Sequence, residues 1–195
     1  AWQRPADRSY LRFSVMMSHN KNKLKEISEA MKSYNEQQTA LATSSNKPLN
    51  KYYDGVSMDA IWAVPSLGID PATGQEIYLV TDENGNYYRT FTYDGNKQVV
   101  CGDALPKING NAGISFEYKG FGINAVCTYK WGAKMYNATL VSKVENADLE
   151  GNVDRRIFTG RWRKPGDLAP YKALGKVYVA SSDELASPTT YATSR

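Results

Sequence analysis

The chain has 195 residues, 42% apolar and 23% charged, which is one-domain length and ordinary globular composition rather than that of a disordered chain. Lys plus Arg is 24 and Asp plus Glu is 20, a net charge of +4, which excludes the concentrated basic stripe of a nucleic-acid binder. No apolar run approaches the about 20 residues a membrane-spanning helix needs, but a membrane β-barrel is not excluded, because its strands only alternate over about 9–11 residues.

Strand-like alternation begins at Tyr10. Leu11, Phe13, Val15 and Met17 share one face, and Arg12, Ser14, Met16 and Ser18 the other, a period of two. The strand is expected over about residues 9–24. The period then changes: Ile27, Ala30, Met31 and Tyr34 are spaced i, i+3, i+4, i+7, which predicts a short amphipathic helix. Gln37 to Asn50 is polar and reads as a loop. Ser57 to Val64 is extended, and Gly68 to Gly74 is dense turn chemistry. Glu76 to Thr81 is a strand candidate, and Asn84-Gly85 predicts a type I′ hairpin turn into a return strand from Asn86. At the scale of the whole chain, 28–111 reads as one long loop region.

The clearest pattern follows. Ile114, Phe116 and Tyr118 alternate with Ser115, Glu117 and Lys119; after Lys119-Gly120, the residues Phe121, Ile123, Ala125, Cys127, Tyr129 and Trp131 alternate with the mostly polar Gly122, Asn124, Val126, Thr128 and Lys130. Strands at 112–119 and 121–136 are expected to pair antiparallel across that minimal turn. One face is wholly apolar, with aromatics near its ends. It suits a barrel hairpin with a lipid face and a wet lumen, or a sandwich hairpin with one face in a core; periodicity alone does not choose. From Asn137 to Arg195 the alternation disappears, and so long a loop is rare in a compact domain but ordinary outside a membrane barrel.

Catalytic and metal chemistry finds little here. One His (His19) and two Cys (Cys101 and Cys127, 26 positions apart) do not supply a zinc site or a Ser-His-Asp or Cys-His arrangement. Asp82 to Asn86 lacks the distal Glu of a calcium loop, and the spacing of Asp59, Asp70 and Glu76 suggests no glycosidase pair. The aromatic side chains Trp62, Tyr129, Trp131, Tyr136 and Trp162 could stack on sugars, though Tyr129 and Trp131 read better as membrane-interface residues. Arg155, Arg156, Arg161, Arg163 and Lys164 form a basic cluster that could receive an anionic ligand or a partner, or form loop ion pairs with Asp148, Asp154 and Asp167.

Several phrases are specific, and they occur in order. They are Asn20-Lys21-Asn22-Lys23-Leu24; Ala60-Ile61-Trp62-Ala63-Val64-Pro65-Ser66-Leu67-Gly68-Ile69-Asp70-Pro71-Ala72-Thr73-Gly74-Gln75-Glu76; Gln98-Val99-Val100-Cys101-Gly102-Asp103 with Pro106-Lys107; Tyr118-Lys119-Gly120-Phe121; and Tyr136-Asn137, Val144 to Asp148, Asn152 to Arg156 and Arg161-Trp162 with Pro165-Gly166-Asp167. Together they resemble the C-terminal barrel region of SusC/RagA-type TonB-dependent outer-membrane receptors of Bacteroidetes, over about residues 9–195. The resemblance implies a mainly β fold, antiparallel strands of a 22-stranded transmembrane β-barrel with one short helix and long extracellular loops. It implies a Gram-negative outer-membrane location in contact with lipid, no cofactor, no catalysis, and import of an oligosaccharide or peptide substrate. A SusD-like surface lipoprotein would cap the barrel, and TonB would act through an N-terminal region, with its plug, that this chain is expected to lack. On this reading Trp62, Tyr136, Arg155, Arg156, Arg161 and Trp162 are the candidate ligand or partner contacts. The alternative is a secreted, aromatic-rich β-domain that binds carbohydrate.

Overall fold

The computed structural model describes residues 9–146, 152–174, 177–179, 184–186 and 190–194. It is mainly β with antiparallel sheets. The first and largest sheet has three strands in the order β1-β7-β8, formed by β1 (Tyr10–His19), β7 (Ile108–Tyr118) and β8 (Phe121–Trp131). All pairings are antiparallel and unbroken, from Tyr10 opposite Glu117 to His19 opposite Ile108, and from Tyr118 opposite Phe121 to Ile108 opposite Trp131. β1 thus stops at His19, short of Leu24, and β8 stops at Trp131, ahead of Gly132 with its positive φ. The β7–β8 turn is the expected minimal one. Lys119 (φ 48°) and Gly120 (φ 87°) are both left-handed, as a two-residue I′ connection requires.

Between β1 and β7 the chain builds a second layer, so 28–111 is far from structureless. The helix α1 (Glu29–Ala42) starts at Ser28, whose hydroxyl accepts from the Met31 N–H. It runs eight residues past Tyr34, where the apolar periodicity ends. Gln37, Gln38, Ala40 and Leu41 are good helix formers, and Asn35 on the buried side exchanges hydrogen bonds with the Tyr52 backbone. Four short strands follow: β2 (Ala60–Ala63), β3 (Ser66–Ile69), β4 (Glu76–Thr81) and β5 (Tyr87–Thr90), and then β6 (Val99–Asp103). β2 pairs with β6, and β3-β4-β5 form a small meander. The alternation in β4 buries Glu76, Tyr78 and Val80.

One turn differs from expectation. Gly85 has φ 84°, but Asn84 does not have positive φ, so the connection is not type I′. The Asp82 carboxylate accepts from the backbone N–H groups of Asn84 and Asn86, and the Asp82 N–H donates to the Asn86 carbonyl at 2.9 Å. The result is a longer loop in which only Gly85 is left-handed, with Asp supplying the closure that a second left-handed residue would have given.

Beyond β8 the chain turns irregular. A single helical turn, α2 (Ala138–Leu140), widens into π geometry over Val141–Glu145, and two three-residue strands, β9 (Val177–Val179) and β10 (Glu184–Ala186), pair with each other. This segment is nonetheless anchored. The Val64 N–H donates to the Ala192 carbonyl at 3.1 Å, the Ser194 N–H donates to the Val64 carbonyl at 3.0 Å, and Tyr191 stacks on Tyr93 at 4.4 Å. Val64, Tyr78 and Val80 form a small buried cluster with Tyr93 against it. No helix among the described residues is long and apolar enough to cross a membrane.

Candidate functional site: an exposed apolar sheet and its loop layer

Register fixes the faces of the large sheet. Leu11, Phe13, Val15 and Met17 lie opposite Phe116, Ile114, Ala112 and Gly110, which in turn lie opposite Ile123, Ala125, Cys127 and Tyr129. Directly opposed residues share a face, so all three strands present most of their apolar residues on one side, Met16 and Val126 being the exceptions. Nothing among the described residues covers that side: Phe13 is 68% exposed, Val15 73% and Ile123 67%. The other side carries Arg12, Asn111, Ser115, Glu117, Asn124 and Thr128, with Thr128 donating to the Asn111 side-chain oxygen at 3.1 Å. At one end of the apolar face, Tyr129 covers Gly110 and donates to the Met16 carbonyl at 3.1 Å, beside Trp131. At the other end, Tyr118 stacks with Phe116 at 6.4 Å and carries Lys119 over its ring. β7 and β8 have 11 residues each. At ~3.4 Å per residue and a tilt near 45°, that height is about 26 Å, which matches the apolar band of a membrane barrel. The two cysteines are free, Cys127 on the exposed apolar face and Cys101 half-buried in β6, where burial pushes its thiol up.

The six candidate contact residues do not converge, and each has its own surroundings. In β2, the Trp62 Nε1–H donates to the Lys51 carbonyl at 2.9 Å, and its ring lies 5.1 Å from that of Tyr53. Tyr136 donates to the Asn46 carbonyl at 2.8 Å. Trp162 donates to the Pro71 carbonyl at 2.8 Å and lies against Gly74, where a Cβ would stand 2.5 Å from the indole. Arg161 is 7% exposed. Its guanidinium donates to the carbonyls of Ile157 (2.9 Å), Lys172 (3.2 Å), Glu145 (3.1 Å) and Val144. It is a fastener of the loop layer rather than a surface contact, because every one of these acceptors belongs to the chain itself. Arg155, Arg156 and Lys164 stay exposed, with the Arg156 guanidinium held by Asp154. Arg163 is turned back onto the Phe158 carbonyl at 2.7 Å.

The carboxylates are likewise spoken for, separately. Asp59 accepts from the Asn22 amide, Asp70 closes its turn by accepting from Thr73 Oγ1 at 2.6 Å, and Glu76 pairs with Lys172 at 3.1 Å in full burial. The Glu76–Lys172 pair joins β4 to the segment after β8, within which Arg161 ties Val144, Glu145, Ile157 and Lys172 together. Asp167 accepts from the Arg163 and Lys164 backbone N–H groups, and Asp148 lies outside the described residues. Among the described residues no cluster of three His, Cys, Asp or Glu is arranged to hold a metal.

Asp154 has a bidentate partner. Its carboxylate accepts from Arg156 Nε at 3.0 Å and Nη2 at 2.7 Å, as well as from the Arg156 backbone N–H. The side-chain bonds foremost, then the backbone bond, hold its carboxyl down from 3.8 to about 2. A carboxyl with a depressed folded value contributes above its unfolded value and loses that contribution as pH falls through the folded one. NMR titration of the Asp154 carboxyl should therefore show a midpoint near 2 in the wild type and a higher one in Arg156→Ala, still short of 3.8 because the backbone N–H bond remains. A midpoint unchanged by the substitution would show that the fork carries none of the shift.

Sequence reasoning missed the groove beside Trp62. It is lined by Thr39, Lys51, Tyr53, Trp62, Asn96 and Gln98, with a volume of about 340 Å³. Lys51 lies just past a run read as a featureless loop, and nothing in its neighbours marks it as buried.

No family model matches the chain, and no curated protein matches it. Among solved structures, it superimposes on the structure of the RagAB peptide transporter with a TM-score of 0.64 at 17% identity, over 91% of this chain. That match covers 19% of the transporter chain, so this chain spans about a fifth of its length. At this identity the likeness is one of fold: the chain folds as a segment of that transporter does.

Proposed function

We propose that this chain is a segment of the β-barrel of a TonB-dependent outer-membrane transporter of the SusC/RagA type, not an enzyme. β1, β7 and β8 are then three of its lipid-facing strands, and the layer made by the described residues of 20–107 and 132–194 is its extracellular loop layer. On this reading the barrel works with a SusD-like surface lipoprotein to import oligosaccharide or peptide, and TonB acts through a plug-bearing region elsewhere in the protein. The observation that carries the proposal is the uncovered apolar face. A soluble sheet of this kind packs one face in a core, and a patch of this extent on a soluble monomer is unusual; in a bilayer it needs no cover. Minimal turns are periplasmic and long loops extracellular in such barrels, so β8 runs outward from Lys119-Gly120. The outward-facing Arg155 and Arg156 are our candidates for partner contact. The secreted carbohydrate-binding domain is the second reading; it is favoured by the Trp62–Tyr53 pair but leaves the apolar face unexplained.

Cys127 provides the test. It is exposed on the apolar face, opposite Ala112 and near mid-strand. In a Cys101→Ser background of the full-length protein in outer membranes, an apolar, membrane-partitioning maleimide should label Cys127. A charged, water-borne maleimide should not, until detergent is added. Equal labelling by the two reagents would place this face in water and exclude the barrel reading.

A further inference from the structure

Lys51 is 4% exposed. Lys51 belongs to none of the ion pairs Lys32–Glu29, Arg156–Asp154 and Lys172–Glu76. Lysine side chains are almost never buried to this extent unless paired. Burial duly pulls its pKa below the ordinary lysine range. Lys51 also lines the groove between α1 and the β2–β6 pair, where Trp62 and Tyr53 form an aromatic corner with rings tilted by 57°. Gln98 on the same wall is buried, and neither its Nε2 nor its Oε1 completes a hydrogen bond. It lies near enough to the Tyr93 hydroxyl to oppose the rise that burial imposes there, but outside hydrogen-bonding geometry. One cation, one buried amide that completes no hydrogen bond and an aromatic corner thus line one small recess.

We propose that this groove binds a small ligand carrying one carboxylate on a single ring, the carboxylate meeting the Lys51 ammonium, a polar substituent meeting the Gln98 amide, and the ring face lying against Trp62 and Tyr53. The lining supplies one positive charge, which suits a carboxylate better than a doubly charged phosphate. The volume of about 340 Å³ lies at the small end of ligand pockets, which limits the ligand to about one ring. An aromatic wall serves a sugar ring or an arene equally, so a hexuronate and an aryl carboxylate share the required chemistry. The inference is independent of the membrane reading, since every group in it belongs to the loop layer.

The test is titration of tryptophan fluorescence in the purified full-length protein with galacturonate, phenylacetate and the methyl ester of each. At least one acid should bind with a dissociation constant of about 1 mM or better, and its ester at least tenfold more weakly. Binding by galacturonate alone identifies a sugar acid, binding by phenylacetate alone an aryl acid, and binding by both the shared chemistry. Lys51→Met should weaken the acid at least tenfold, because it removes the one cation of the groove while keeping the length of the side chain. Gln98→Leu, which leaves the ammonium in place, should weaken binding less than Lys51→Met does. The proposal is overturned if neither acid binds, if an ester binds as well as its acid, or if Lys51→Met binds like the wild type.

Discussion

Replacing Val15 with arginine should cost the inserted protein about 2–4 kcal/mol, the penalty for a cation at the midplane of a lipid-facing barrel surface. Val15 pairs with Ala112, which pairs with Cys127, and all three lie near the middle of their strands. Ile123 faces the same way but pairs with Phe116, only two rungs from the Lys119-Gly120 turn. Arginine there can reach the interface, so Ile123→Arg should cost less, about 0–1 kcal/mol. On the opposite face, Thr128→Arg meets the polar side and should leave stability nearly unchanged. Urea unfolding of the protein refolded into lipid vesicles measures all three. The gradient from Val15 to Ile123, with Thr128 flat, is the expected result. Equal small costs at Val15 and Thr128 would mean that neither face meets lipid.

The second large effect should come from Arg161. Truncation to alanine withdraws a buried guanidinium from four backbone carbonyls, those of Val144, Glu145, Ile157 and Lys172. An unsatisfied buried acceptor costs about 1–3 kcal/mol, so a loss of at least about 3 kcal/mol is expected even if water reaches some of them. Arg161→Lys should recover only part of it, because an ammonium lacks the planar fork that reaches several acceptors at once. The damage should be local: amide hydrogen exchange should accelerate around Val144, Ile157 and Lys172 while β7 and β8 keep their protection. Fast exchange spread evenly over β7 and β8 as well would contradict a role confined to the loop layer.

These two sites differ in how far they could be read from the sequence. The large sheet was legible because strand period is a local property, and the faces of 11–17 and 114–131 are written into neighbouring residues. The turn at Lys119-Gly120 was legible for the same reason. Arg161 was not: it stood in a run of basic residues, and only its distant acceptors make it a fastener while Arg155 and Arg156 stay outside. The end of α1 was misplaced because a helix held by propensity and by Asn35 needs no apolar stripe. Type I′ geometry at Asn84 failed because the Asp82 carboxylate supplied an alternative closure. Lys51 was invisible, since burial of a lysine depends on what packs over it from elsewhere in the chain. The resemblance to the SusC/RagA receptors led to the same sheet, and the likeness to the RagAB peptide transporter is one of fold.

The meeting of β1 and β7 has a consequence for how the protein could be remade. The His19 ring nitrogen and the Asn20 N–H both engage the Lys107 carbonyl, at 2.7 and 3.2 Å, although 88 positions separate His19 from Lys107. Everything between leaves the sheet and returns to the rung from which it left. Such a segment is a cassette: its two ends are held at the spacing of adjacent strands whatever lies between them. A designer could graft another in its place without altering a single pairing of β1 with β7, as long as the graft also meets the segment after β8 that Val64, Pro71 and Glu76 now hold.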